Sequence, residues 1–255
     1  DPAKSDTDCV GVASPGILVA SNRLWVYYAS RGPRCPMGPF QLRGEMGPDA
    51  LDTLPGRIEA ASAPLNSDGS PSGPFSTDGI MVDLAQSAES MRLDDPCAVL
   101  HDAHIWLFFK SVGYPNQVGD RTITVMLATA PEHSPAGPFT VNPTPVLHVN
   151  GGGEMPRVFH HGSQWHMFYR RFKPTTMVWE HYVAEDPTHW RLVSDALFNC
   201  AGPAPGRSVT DICPVWRPFG SGLPRLCFAA GVDDGTYGDP GKIKQWLYEM
   251  RPYNK

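Results

Sequence analysis

Four times along this chain a proline opens a short apolar run, a turn follows, and the chain returns as a second run rich in aromatic residues. The openers are Ser14-Pro15-Gly16-Ile17-Leu18, Asp95-Pro96-Cys97-Ala98-Val99, Met155-Pro156-Arg157-Val158-Phe159 and Cys213-Pro214-Val215-Trp216. The returning runs are Leu24-Trp25-Val26-Tyr27-Tyr28, Ile105-Trp106-Leu107-Phe108-Phe109, Trp165-His166-Met167-Phe168-Tyr169 and Arg225-Leu226-Cys227-Phe228. Proline fixes φ and has no N–H to give to a ladder, so it suits the first residue of a strand. Short apolar runs bounded by turn residues predict strands, and a tight turn between two of them predicts a hairpin.

The prolines at 15, 96, 156 and 214 are separated by 81, 60 and 58 residues. In three of the units a third run ends alike: Ala61-Ser62-Ala63-Pro64, Ala128-Thr129-Ala130-Pro131 and Ala184-Glu185-Asp186-Pro187. Two of these run on into Ser-Pro-x-Gly-Pro-Phe, at 70–75 and 134–139, and Cys35-Pro36-Met37-Gly38-Pro39-Phe40 is a variant. Self-similarity at this period, with about four short strands per unit, predicts an all-β fold: a β-propeller of four to five blades, each an antiparallel four-stranded sheet. The units run roughly over 10–80, 90–142, 151–195 and 208–250, within a single domain spanning 1–255. The competing reading is a β-sandwich with chance Pro-Phe punctuation. The long segment 31–56 is expected to be a surface excursion, with one helical turn around Asp49 to Leu54, and Ser67–Ser76 and Gly231–Gly241 are expected to be exposed turns.

Composition supports a loop-rich β domain: 25 glycines and 27 prolines among 255 residues, with only 18% charged. A net charge of −5 without a basic run argues against a nucleic-acid partner. No apolar stretch approaches the ~18 residues of a membrane-spanning helix, so no membrane partner is expected. Asp1 to Asp8 are polar and lack an apolar leader core, so any signal peptide is expected to have been removed or never to have been present. The six cysteines allow many pairings. Cys97 and Cys213 fall in opening strands as small apolar side chains, while Cys9 with Cys35 and Cys200 with Cys227 are candidate disulfide bridges. An even count in a Pro/Gly-rich β chain leans toward an oxidising setting, secreted or periplasmic. No Cys-x-x-Cys or zinc spacing occurs, so no metal site is expected.

In a propeller the first strand of every blade starts near one axis, so residues far apart in the chain converge there. At the four strand mouths stand Ser14, Asp94 with Asp95, Glu154 and Asp211. Glu154 follows Gly151-Gly152-Gly153, which lets backbone approach a ligand closely. Two converging carboxylates can divide into a protonated acid and an ionised partner, the division that glycosidic hydrolysis requires. The plainer reading is that each acid caps a turn or accepts backbone N–H bonds, as Asp often does.

With these residues in view, the chain resembles the five-bladed β-propeller glycosidases: the arabinanase and β-xylosidase group and the related α-neoagarooligosaccharide hydrolases. Their Asp-Pro motif, Arg-Val-Asp-Asp-Pro-Cys in the agar-oligosaccharide branch, is matched by Arg92-Leu93-Asp94-Asp95-Pro96-Cys97. Their acid Glu, often in Glu-Gly-Pro, is matched by Glu154-Met155-Pro156, and their Ser-Pro or Ala-Pro opener by Ser14-Pro15. The Ser-Pro-x-Gly-Pro-Phe turns are of the kind they use, and the resemblance covers about residues 10–250. It implies a glycoside hydrolase of a short or terminal saccharide, acting with inversion, with Glu154 as general acid and Asp95 orienting it and tuning its pKa. The family's general base is an Asp in an Asp-Pro of a preceding blade. Here the stretch before Ser14-Pro15 is too short for a blade and Asp1-Pro2 lacks the hairpin context, so either the domain has four full blades plus an N-terminal strand, or the base comes from elsewhere, with Asp8 or Asp211 as candidates. A second departure is Gly153, where the agar-oligosaccharide branch has His.

Asp94, Ser14, Arg157, Arg170, Arg171 and His160 are candidate substrate-binding residues. Alternation along β-structure puts Arg170 on the face of His166 and Phe168 and Arg171 on the other. Ion pairs with nearby acids are the competing role for either arginine, as a turn-flanking role is for His160 and His161. Trp25, Trp106, Trp165 and Tyr169 are expected in the core, and Tyr114, Trp179 or Tyr237 as sugar-stacking aromatics. No cofactor is required, although a structural cation on the axis is compatible with the fold. The expected partner is an oligosaccharide or polysaccharide, and an oligomer is compatible with the sequence. Two alternatives remain open: a propeller that binds carbohydrate or protein without cleavage, and a sugar-active lyase on the same scaffold.

Overall fold

The computed structural model describes residues 11–31, 56–83, 90–113, 122–149, 151–173, 176–199, 207–215, 225–232 and 245–250. Every regular element among them is a β-strand. The chain divides into two compact units, 1–156 and 157–255.

The first unit holds two meanders. β1 (Gly11–Ala20), β2 (Arg23–Arg31), β3 (Gly56–Pro64) and β4 (Ser76–Val82) form one of them. β5 (Ser90–His101), β6 (His104–Gly113) and β7 (Thr122–Pro131) form the other, with the two-residue strands β8 (Thr140–Val141) and β9 (Leu147–His148) both on β7. Within each meander the pairing is antiparallel, as the repeat predicts. The two are not separate sheets, however. A single parallel bridge, Gly56 to Arg92, joins them into one sheet of nine strands. The first hairpins close on two-residue turns with both central residues at positive φ: Ser21 (52°) and Asn22 (56°), then Asp102 (48°) and Ala103 (57°). Turns of this hand match the twist of the strands they join.

The core of this unit follows the period of two. On β1, Leu18 and Ala20 are buried while Ile17 and Val19 are 63% and 57% exposed. β6 is buried on both faces: Ile105, Leu107 and Phe109 enter the main core with Tyr27, Ile58 and Leu93, and Phe108 is fully buried behind them. Each such side chain contributes on the order of 1.5–3 kcal/mol by leaving water. Trp106 departs from the expected core role; it is half-buried, with its indole N–H donated to the His101 carbonyl at 3.1 Å.

The motif at 134–139 has a structural purpose. Tyr27 of β2 donates its hydroxyl to the Pro135 carbonyl at 2.9 Å, and Phe139 packs edge-on to the Tyr27 ring at 6.1 Å. The motif thereby fastens the second meander to the first. Of the turn expected over Ser67–Ser76, residues 67–75 are exposed, with Phe75 at 44%, and Ser76 instead opens β4.

In the second unit, β10 (Gly153–His161, which begins in the first), β11 (Gln164–Lys173), β12 (Thr176–Ala184) and β13 (Arg191–Asn199) make a four-stranded sheet. β14 (Arg207–Val215), β15 (Arg225–Val232) and β16 (Gln245–Met250) make a three-stranded one. Gly231 and Val232, expected in a turn, instead close β15. Trp179 is fully buried in β12 rather than displayed on a loop. Cys97 is half-buried. Cys213 and Cys227 are ladder partners across β14 and β15. Cys9, Cys35 and Cys200, the segment 49–54, Tyr114 and Tyr237 lie outside the described residues.

Candidate active site

The candidate site lies in the first unit, at the proline-opened ends of β1, β5 and β10. A regular strand sends successive side chains to opposite faces, and a bulge interrupts that alternation. The ladder shifts register between Ala13 and Gly16 and again between Asp94 and Cys97. The residues immediately before the three prolines, Ser14, Asp95 and Met155, have φ of 52°, 52° and 55°. A non-glycine residue at positive φ directly before proline is held in a costly conformation. Its recurrence ties that strain to one end of the repeat. Met155 is therefore the repeat counterpart of Asp95, and Glu154 is the counterpart of Asp94. In β14 the shift falls at Thr210, while Pro214 pairs in regular register with Leu226. The proline-opened mouth thus does not extend to the fourth unit.

The bulge brings neighbouring carboxylates to one ammonium. Lys110 of β6 sits with its Nζ 2.8 Å from Asp95 Oδ2, 3.7 Å from Asp94 Oδ2 and 3.5 Å from Glu154 Oε2. Arg92 Nε lies 2.8 Å from Asp94 Oδ2. Lys110 and Arg92 thus stand among the carboxylates Asp94, Asp95 and Glu154. Exposure ranks them: the Asp94 and Asp95 side chains are 3% exposed and Lys110 6%, whereas Glu154 is 20% exposed. Asp95 Oδ2 also accepts the Met155 N–H at 3.0 Å, and the Ser14 hydroxyl donates to the same carboxyl. Burial alone would raise the pKa of Asp95. The charge and hydrogen bond of Lys110, with the Ser14 and Met155 donors, outweigh it and hold this carboxyl well below the usual carboxylate range.

Gly16 makes the convergence of β1 and β5 possible. A Cβ there would stand 2.3 Å from the Pro96 carbonyl oxygen and 3.0 Å from its carbon, both backbone atoms. Only a residue without a side chain lets β1 come close enough for Ser14 to reach Asp95.

The structure therefore brings together Ser14, Asp94, Asp95 and Glu154 of the sequence-derived residues. Lys110 was missed. The signal was available: a lysine ends the apolar run Ile105–Phe109, and counting back across the His101/His104 turn sets it opposite Asp94 once the bulge is allowed for. The side chains of Asp8 and Asp211 lie outside the described residues; the Asp211 backbone pairs with Ala229, just past the Thr210 shift.

The remaining candidates lie in the second unit. Arg157 is buried. Arg171 Nε lies 3.2 Å from Oε2 of Glu180, a buried carboxylate that also accepts the Tyr182 hydroxyl at 2.5 Å. Burial, then the Glu180 hydrogen bond and charge, push the Tyr182 phenol up. Arg170 pairs with Trp179 in the ladder and shares the face of Phe168 and His166, as alternation predicts. On that face His166 Nδ1 and His181 Nε2 are 3.1 Å apart. Burial first, then neighbouring histidines, lower both imidazole pKa values. His160 is half-buried and edge-on to Trp165, with ring centres 5.1 Å apart. Among the described residues, no group of three His, Cys, Asp or Glu is placed to hold a metal ion.

No protein-family model matches the sequence, and no curated protein matches it either. Solved structures do. A family 117 glycoside hydrolase of the marine bacterium Zobellia galactanivorans aligns with a TM-score of 0.61 at 14% identity, covering 94% of this chain and 70% of that one. An α-L-arabinofuranosidase of Lactobacillus brevis aligns with a TM-score of 0.63 at 13% identity, over 94% and 72%. A sucrose-6-phosphate hydrolase of Lactobacillus gasseri gives 0.64 at 12% identity, and there this chain spans only 45% of the other's length. In fold, the chain is similar to the β-propeller glycoside hydrolases that its strand-mouth motifs resemble.

Proposed function

We propose that this chain is a glycoside hydrolase acting on a short or terminal saccharide, with Glu154 as general acid and Asp95 as its ionised partner. The observation that carries the proposal is an accessible carboxylate standing beside a buried, ionised one at a strand mouth, through a shared lysine. A Bombyx mori β-fructofuranosidase variant similar in fold is held in complex with sucrose, which supports a saccharide as ligand.

In the reaction, the Glu154 O–H protonates the glycosidic oxygen as the bond to the anomeric carbon breaks. A water attacks that carbon from the opposite face and gives its proton to a second carboxylate, inverting the configuration. Such pairs stand ~6.5–9.5 Å apart to admit the water. Asp8 and Asp211 are the candidates for that base. The chemistry uses only carboxylates and water.

The test is a screen of aryl glycosides and plant and algal oligosaccharides with wild type and Glu154→Gln. Turnover by the wild type should fall by about 10²–10⁴-fold in the variant. The loss should shrink on aryl glycosides whose leaving groups need no protonation. Saccharide binding without turnover by the wild type would establish the non-cleaving alternative instead.

A further inference from the structure

We propose that Lys110 is the positioning residue of this site: its ammonium, 2.8 Å from Asp95 and 3.5 Å from Glu154, joins the buried carboxylate to the accessible one and sets the charge environment of both. The inference rests on the reading of Glu154 and Asp95 as acid and ionised partner, and Lys110 belongs to none of the motifs that suggested that reading.

The geometry is specific. Lysine is almost never fully buried unless paired, and Lys110 is 5% exposed on a strand otherwise filled with Ile105, Leu107, Phe108 and Phe109. An ammonium is a compact point charge with three donors, suited to three carboxylates that approach from different directions. Among the described residues, the carboxylates of Asp94 and Asp95 from β5 and of Glu154 from β10 approach it, and Arg92 of β5 pairs with Asp94. β1 contributes the neutral Ser14 hydroxyl through Asp95, and on β7 its ladder partner is Val125.

The sign of each effect follows. Lys110 stabilises the ionised form of both Asp95 and Glu154, so its removal should move both titrations to higher pH. Removing the negative charge of Asp95 acts on Glu154 the other way. A lysine that merely fills space would move neither.

The experiment is an NMR titration of the side-chain carboxyl carbons in the full chain, comparing wild type, Lys110→Met and Lys110→Arg. Asp95 and Glu154 should both titrate higher in Lys110→Met, with Asp95 moving by about 1–3 pH units, and stay near their wild-type positions in Lys110→Arg. If Lys110→Met does not fold, Asp95→Asn against the double variant Lys110→Met/Asp95→Asn carries the test, since Glu154 should titrate higher in the double variant. On any saccharide turned over, the alkaline limb of the pH–rate profile, set by Glu154, should rise in Lys110→Met, while Lys110→Arg loses kcat without moving that limb. Unmoved titrations overturn the role of Lys110 whether or not a sugar is cleaved. Shifted titrations with no turnover uphold it and remove the glycosidase reading instead.

Discussion

At Asp95, burial and hydrogen bonding pull in opposite directions, and the balance has a consequence for folding. The carboxyl is 3% exposed, yet Lys110, Ser14 and the Met155 N–H all favour its charged form. An unfolded aspartate has a pKa near ~3.9, and folding lowers that of Asp95. Its stabilisation is therefore fully present above that unfolded value and is lost as pH falls toward the folded one. Denaturant unfolding at pH 7, 5, 4 and 3 should show wild type losing stability most steeply below about pH 4. Asp95→Asn should be less stable at pH 7, by up to about 3 kcal/mol because it breaks a buried ion pair. Asp94 and Glu154 remain near Lys110 and keep the loss from being larger. The variant should also lose less of its remaining stability on acidification. Parallel wild-type and variant curves from pH 7 to 3 would show that Asp95 is not held ionised by its surroundings.

At the level of elements, the same six-residue motif plays two parts. The copy at 134–139 buries Phe139 to 3% exposure against Tyr27, whereas the copy at 70–75 leaves Phe75 at 44%. The shared sequence does not fold alike: Gly137 N–H closes a turn on the Ser134 carbonyl, whereas Pro71 bridges to Leu65, and what each copy packs against is a tertiary fact that its own residues do not encode. Phe139→Ala should cost about 3–5 kcal/mol, the range for emptying a buried aromatic site, whereas Phe75→Ala should stay within about 0.5 kcal/mol. Urea unfolding of the two variants side by side checks this; equal losses would mean that the fastening of the two meanders through Tyr27 contributes little. The hairpin turns were legible for a local reason. Asn22 and Asp102 are residue types that tolerate positive φ, and the flanking apolar runs leave only two residues for each turn. Ala103 at 57° is the exception, imposed by the length of the loop.

Over the whole chain, the repeat was legible because prolines and aromatic pairs recur in a fixed order, which requires no knowledge of the packing. The strand-mouth bulge was not. Asp94-Asp95-Pro96 reads equally well as a regular strand start, and the shift that turns both carboxylates toward Lys110 arises where two strands distant in sequence crowd together. The fourth opener shows the limit of the pattern, since Pro214 lies in regular register and the shift falls at Thr210. Within the first unit, Gly16 is where crowding and chemistry coincide. Its missing side chain leaves room for the Pro96 carbonyl, and any Cβ would meet that oxygen at 2.3 Å. Gly16→Ala must push β1 from β5, because the obstructing atoms are backbone and cannot swing aside. Overpacking of this kind costs about 1–3 kcal/mol or more. It should also withdraw the Ser14 hydroxyl from Asp95, raising the carboxyl's titration toward its ordinary range. Ser14→Ala removes the same hydroxyl without moving a strand and should cost only about 0.5–1.5 kcal/mol. Thermal unfolding of the two variants, with the Asp95 titration read in each, separates the contributions: Gly16→Ala should be the less stable of the two and shift Asp95 at least as far. If Gly16→Ala instead matches wild type in both measurements, β1 and β5 do not meet as described, and the convergence on which the site depends is lost.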